Sequence, residues 1–219
     1  MKRLYFEYTN CNIMKAKIIL FAVLLCLFGC NSKQGKMQED VKELMCCCPQ
    51  ATIYLQPYGN YTKEEAMKLI PVLQEHFGYW IEGHWTFKVL EPKSLPKEGF
   101  VAEKNKYKAI SFLRDESKDI EKYDMIIGLT HNDICADLHN QKDYGIIGLS
   151  YLGKRMSIVS DKRVKNKKQF WKPVLHEFMH AFFGKRHCEK DDPTCFMVDF
   201  KGHGNLAKQN KLCEYCSRI

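Results

Sequence analysis

The residues best suited to chemistry lie between Trp171 and Met197, in the stretch WKPVLHEFMHAFFGKRHCEKDDPTCFM. Here His176-Glu177-Phe178-Met179-His180 is followed by Gly184 and His187. Residues four apart on a helix share a face, so the imidazoles of His176 and His180 can reach one metal ion. Glu177 sits beside the first of them, placed to reach a water on that ion without binding the ion itself. Gly184 can adopt the left-handed backbone that ends a helix and turns the chain sharply. That turn would return His187 as a third ligand. Three protein ligands leave a fourth position open, the arrangement of a catalytic zinc rather than a structural one. The competing reading is a surface helix with ordinary histidines. An HExxH pattern arises by chance about once in fifty such chains, and the later Gly and His lower that by roughly a further five hundredfold.

A second set of donors follows. Cys188, Cys195, Cys213 and Cys216 form two pairs, the last a Cys-x-x-Cys. That pattern suits a structural zinc closed by four thiolates. In an oxidising compartment the same four residues suit two disulfides. Cys135 reads as a small buried apolar residue. Cys46-Cys47-Cys48 is open to a local disulfide or a thiol cluster. His84, His131, His139 and His203 lack partners at ligand spacing and read as surface or structural residues.

The chain has 219 residues, 45% of them apolar and 27% charged, which excludes a disordered protein and fits one principal domain. Near the N-terminus, Lys15 and Lys17 precede an uncharged apolar run from Ile18 to Gly29. The run is short for a bilayer span and has the length of a signal-peptide core. It ends in Leu27-Phe28-Gly29-Cys30, which resembles a bacterial lipobox; that resemblance implies cleavage before Cys30 and a lipid on its thiol. The expected division is a signal over 1–29, with Met14 an alternative start, a lipidated tether over 30–48, and a catalytic domain over 49–219. The expected location is export, with anchorage to a bacterial envelope membrane. The net charge of +8 falls to +5 once residues 1–29, with four Lys/Arg and one Glu, are removed. No basic stripe with interleaved aromatics points to nucleic acid.

Several elements must position the metal motif. Ala51–Pro57 alternates like a strand, and Tyr58-Gly59-Asn60 marks a turn. Thr62 and Glu65 form a capping-box signature for a helix over 63–77, with Pro71 an expected irregularity. Trp85–Leu90 reads as a strand and Lys108–Lys118 as a helix. Tyr123–Thr130 is apolar enough to lie in the middle of a sheet. Tyr144–Leu152 and Arg155–Ser160, separated by Gly153-Lys154, read as one hairpin. The metal-binding helix starts either near Lys168 or with Pro173 in its first turn. This order predicts an α/β (α+β) fold with a mixed twisted sheet.

The segments IIGLTHNDICAD, GIIGLSYLGKRMSIVSDKR and HEFMHAFFGKRH, the Cys-x-Met that follows and the closing Cys-x-x-Cys resemble the archaemetzincins, a branch of the metzincin zinc peptidases. The resemblance implies a zincin-like fold and zinc-dependent peptide hydrolysis. It assigns the catalytic zinc to His176, His180 and His187, and the general base to Glu177. It further implies that Met197 forms the Met-turn beneath that metal, and that Cys188, Cys195, Cys213 and Cys216 hold a second, structural zinc. Two spacings depart from the family: Cys188 to Cys195 is wider, and Met197 to Cys213 is slightly shorter. The expected partners are a peptide or protein substrate and, through Cys30, a membrane. The alternative function is a lipid-anchored zinc-binding module without hydrolytic activity.

Overall fold

The computed structural model describes residues 49–138, 140–199 and 206–218. The expected signal, the tether, Cys30, the triplet Cys46-Cys47-Cys48, His139 and His203 lie outside them. Two sheets and three α-helices make up the described part. The first strand, β1 (Gln50–Tyr58), is followed by α1 (Lys63–Trp80). The helix starts at the expected capping box: the Glu65 amide donates to the Thr62 hydroxyl, and the Thr62 amide donates to the Glu65 carboxylate. It continues through the exposed Pro71 and ends three residues beyond expectation. A proline removes one backbone bond, and the buried face of α1, with Ala66, Leu73 and Phe77, supplies the packing that carries the helix past it.

Next come β2 (His84–Val89), β3 (Phe100–Val101) and β4 (Lys106–Lys108), then α2 (Ala109–Ser117). The remaining strands are β5 (Met125–Thr130), β6 (Ile134–Leu138), β7 (Gln141–Ile146), β8 (Gly148–Ser150) and β9 (Met156–Ser160). The main sheet has the order β2-β1-β5-β9-β8. Its strands are parallel except for β8, which runs antiparallel to β9 along the edge. A smaller sheet has the order β3-β4-β6-β7.

The single hairpin expected over 144–160 is in fact divided. Residues 141–146 pair with β6 in the smaller sheet, and only 148–150 pair with β9. Strand β6 was not anticipated, because ICADL is short and its apolar residues do not alternate over a usable length. The registers that tie β6 to β4 and β7 are long-range pairings, which local pattern does not encode.

Period-two alternation distributes the core. Ile53, Leu55, Met125, Ile127 and Leu129 face α1 and the third helix, α3 (Trp171–Phe183). Tyr58, Ile126 and Ile158 face α2 with Phe112 and Leu113. Strand β5 is buried on both sides, which is why its sequence is apolar throughout. Helix α3 has Pro173 in its first turn, where the missing N–H has no intrahelical partner in any case. No helix among the described residues is long and apolar enough to cross a membrane.

One buried group makes the stability of this fold pH-dependent. Glu116 of α2 is 1% exposed, and burial pushes its carboxyl well above the usual range. A carboxyl raised in the folded state favours folding only while protonated. Its contribution is therefore full below a pH of about 4 and fades as pH rises toward the folded value. Glu116→Gln removes that dependence. The variant should gain melting temperature over the wild type at pH 8 and gain less at pH 5; equal shifts at both pH values would show that the carboxyl does not titrate as described.

Candidate metal centre

Helix α3 is buried from Trp171 to Ala181. Phe178 anchors it, with its ring 4.9 Å from that of Phe77 and 5.2 Å from that of Trp85. On the neighbouring face of the helix, His176 and His180 turn toward each other, their Nε2 atoms 3.0 Å apart. The other ring nitrogen of each is committed elsewhere. His176 Nδ1–H donates to the Phe196 carbonyl at 2.7 Å, and His180 Nδ1–H donates to the Lys185 carbonyl. With both protons on Nδ1, both Nε2 atoms present lone pairs to the same point. Two such lone pairs repel unless a cation lies between them. Tetrahedral nitrogen ligands around zinc sit about 3.3 Å apart, given Zn–N of about 2.0–2.1 Å. Burial and the neighbouring rings hold His176 well below the usual imidazole range, and burial lowers His180 to about 4. Both are thus neutral at physiological pH, as metal ligands must be.

The third imidazole arrives as the sequence predicts. Gly184 has φ +64°, and the Lys185 amide closes the helix end by donating to the Met179 carbonyl. The turn sends the chain back, and His187 comes from an exposed position to 4.8 Å from the His180 ring. Ligand atoms of His176, His180 and His187 lie within 4.8 Å of one another.

Glu177, the residue after His176, lies against the edge strand β8. Its carboxyl is buried and accepts a hydrogen bond from the Ser150 hydroxyl at 2.5 Å. Burial pushes it up to about 8, against the opposing effect of Ser150. A Cβ on residue 148 would come within 2.5 Å of the carboxylate, so Gly148 is what makes room for it. Sequence reasoning missed both Ser150 and Gly148. The available signal was a lone hydroxyl and a glycine within the otherwise apolar GIIGLSYL. The hairpin carrying them is tied to the helix end, because the Gly153 and Arg155 amides donate to the His180 and Ala181 carbonyls.

Beneath the histidines, the segment 195–198 forms a tight turn closed from the Val198 amide to the Cys195 carbonyl. Met197 is fully buried there, and its carbonyl accepts from the Cys188 amide. Phe196, the residue before it, supplies the carbonyl that orients His176. The thiols of Cys188, Cys195, Cys213 and Cys216 are unbridged and within 4.8 Å of one another, with Cys188 and Cys213 Sγ atoms 3.6 Å apart. A disulfide needs about 2.05 Å, whereas thiolates around zinc stand about 3.7 Å apart for Zn–S of about 2.3 Å. The Met197 and Cys213 amides both point at Cys195 Sγ at 3.4 Å, as expected of donors to a thiolate. The unusual Cys188 to Cys195 spacing is absorbed by a loop in which Asp191 has φ +47°. The C-terminal segment is pinned by the buried Lys172, which donates to the Leu206 and Gln209 carbonyls. Of the remaining histidines, His84 is exposed, and His131 stacks on Tyr61 and contacts Asp161 and Glu65. Cys135 is buried, as expected.

The chain superposes on the crystal structure of archaemetzincin from Methanopyrus kandleri with a TM-score of 0.66 and 20% identity, over 77% of this chain and 92% of that one. It also superposes on archaemetzincin from Archaeoglobus fulgidus, complexed with malonate, with a TM-score of 0.58 and 20% identity, over 76% and 98%. The fold is archaemetzincin-like. No family model matches the sequence, and no curated protein matches it significantly. The archaemetzincin-like fold thus holds two donor groups, three nitrogens and four sulfurs, whose composition and spacing fit zinc.

Gly184→Ala tests the turn. A side chain in left-handed backbone costs about 1–2 kcal/mol, and relief of that strain would move His187. Zinc affinity, read by competition with a chromogenic chelator, should fall by about tenfold. Unchanged affinity would mean that His187 does not depend on this turn.

Proposed function

We propose that the protein is a zinc-dependent peptidase. The observation that carries this reading is the convergence of two Nε2 lone pairs whose rings are locked by backbone carbonyls, with a buried carboxyl on the next residue. His176, His180 and His187 would hold the catalytic ion, and Cys188, Cys195, Cys213 and Cys216 a structural one. When bound at the histidines, zinc supplies Lewis acidity that makes water a better nucleophile and polarises a carbonyl. The chain's own residues do the rest. Glu177 takes a proton from the attacking water and gives it to the leaving amine, base first and acid afterwards. Burial disfavours the bare carboxylate and so favours its taking up that proton. Ser150 holds one carboxylate oxygen, fixing the direction in which the other can act. Strand β8 is the edge of the main sheet and carries Ser150, so a substrate lying along it as an added strand would pass beside Glu177.

Attachment to a membrane through Cys30 belongs to the same proposal and comes from the lipobox resemblance. Mass spectrometry of the protein from its host should find a lipid on Cys30 at the N-terminus; an unmodified chain retaining residues before it would exclude the anchor.

Two variants test the catalytic reading on a mixed peptide library. Glu177→Gln should retain zinc and lose about 10²–10⁴-fold in cleavage. If zinc-loaded wild type does not cut, or both proteins cut equally, the enzyme reading fails and a zinc-binding module remains. Ser150→Ala should lower kcat by about ten- to a hundredfold with KM little changed, the equivalent of one hydrogen bond to a charged group, about 1.5–3 kcal/mol.

A further inference from the structure

The four thiols of the cysteine group differ in access. Cys188, Cys195 and Cys216 are buried, whereas Cys213, on the C-terminal segment, is half-buried. The Cys213 Sγ lies 3.6 Å from that of Cys188, and neither is bridged. Coordination by a metal ion holds sulfur as thiolate, which is also the form that an oxidant attacks. An accessible thiolate with a second one beside it is oxidised through a sulfenic acid to a disulfide.

Cys188 is connected to the histidine group by two routes. Its peptide bond joins it to His187, and its amide donates to the Met197 carbonyl at 2.7 Å. Met197 adjoins Phe196, whose carbonyl fixes the ring of His176. The loop 184–198 contains no helix or strand, so these few bonds and the gathered thiols set its course. A bridge must close the gap between Cys188 and Cys213 to about 2 Å, which displaces this loop, the C-terminal segment or both.

We propose that Cys213 and Cys188 form an oxidation site through which a peroxide weakens zinc binding at the histidines. The Cys213 thiolate attacks hydrogen peroxide, breaking the O–O bond to give a sulfenic acid and hydroxide. The Cys188 thiolate then displaces a second hydroxide as the S–S bond forms. Two electrons pass from the sulfurs to the peroxide, and two protons from solvent convert both hydroxides to water. Two thiolates remain where a structural zinc takes four, so the sulfur site gives up its ion. Loss of that clip releases both His187 and the turn that orients His176. The proposal rests on zinc at both donor groups, as proposed above, and not on hydrolysis.

The test uses the full chain loaded with zinc and treated with hydrogen peroxide, with released metal read by a chromogenic chelator. Peroxide should free the sulfur-bound zinc, and peptide mapping without reduction should find Cys188 joined to Cys213. The bridged protein should hold zinc at its histidines about tenfold more weakly than the reduced one, a coupling of ordinary size between linked sites. Reductant and zinc together should restore both sites. Cys213→Ser should form no bridge from Cys188; mapping and affinity are read on the wild type, so neither depends on the folding of that variant. Glu177→Gln should match the wild type throughout, so absence of cleavage would count against the peptidase reading alone. The proposal is overturned if the chain takes up no zinc at its cysteines, if peroxide leaves the four thiols free, or if the bridge joins another pair such as Cys213 and Cys216. It is equally overturned if the bridged protein holds the histidine zinc as tightly as the reduced one.

Discussion

Two imidazoles with their lone pairs 3.0 Å apart are an unfavourable arrangement in a metal-free protein, and the rest of the structure exists around keeping it. The arrangement survives because neither ring is free to turn. Each gives its Nδ1 proton to a backbone carbonyl, one from the turn below and one from just past the helix end. Rotation of either ring would leave that carbonyl without its donor inside a buried site. The helix itself cannot yield, since its residues from Trp171 to Ala181 are buried between the sheet, α1 and the C-terminal segment. Repulsion between donors is thus held in reserve for a cation.

The same rigidity extends to the carboxylate beside the first histidine. Glu177 is set by β8, which is set by β9, which lies beside the central strand β5. The turn between β8 and β9 is bonded to the last carbonyls of α3, so edge strand and helix end form one unit. A strand at the rim of a sheet is ordinarily free to pair or fray. Here β8 is paired with β9 on one side, and its Ser150 hydroxyl is bonded to Glu177 of the site helix.

The cysteine group serves the site from below. Cys188 follows His187 directly, and Cys195 opens the turn whose Phe196 carbonyl orients His176. Gathering the four thiols therefore fixes both neighbours of the histidine group. A chain of this size has a sufficient hydrophobic core without that clip. The natural role of the clip is placement of the loop 184–198, which contains no helix or strand to hold it.

How much of this was legible in the sequence depends on the range of the interaction. The spacing of His176 and His180, the left-handed turn at Gly184, the capping box at Thr62 and the apolar run of β5 are local, and each residue type carries its own conformational instruction. The division of the 144–160 hairpin and the existence of β6 follow from pairings between distant strands, which no short pattern records. The partners that orient the two imidazoles were beyond reading for a sharper reason. They are main-chain carbonyls at 185 and 196, and every residue has one. Side-chain chemistry is written in the sequence, whereas the position of a backbone oxygen is decided only when the whole chain has packed.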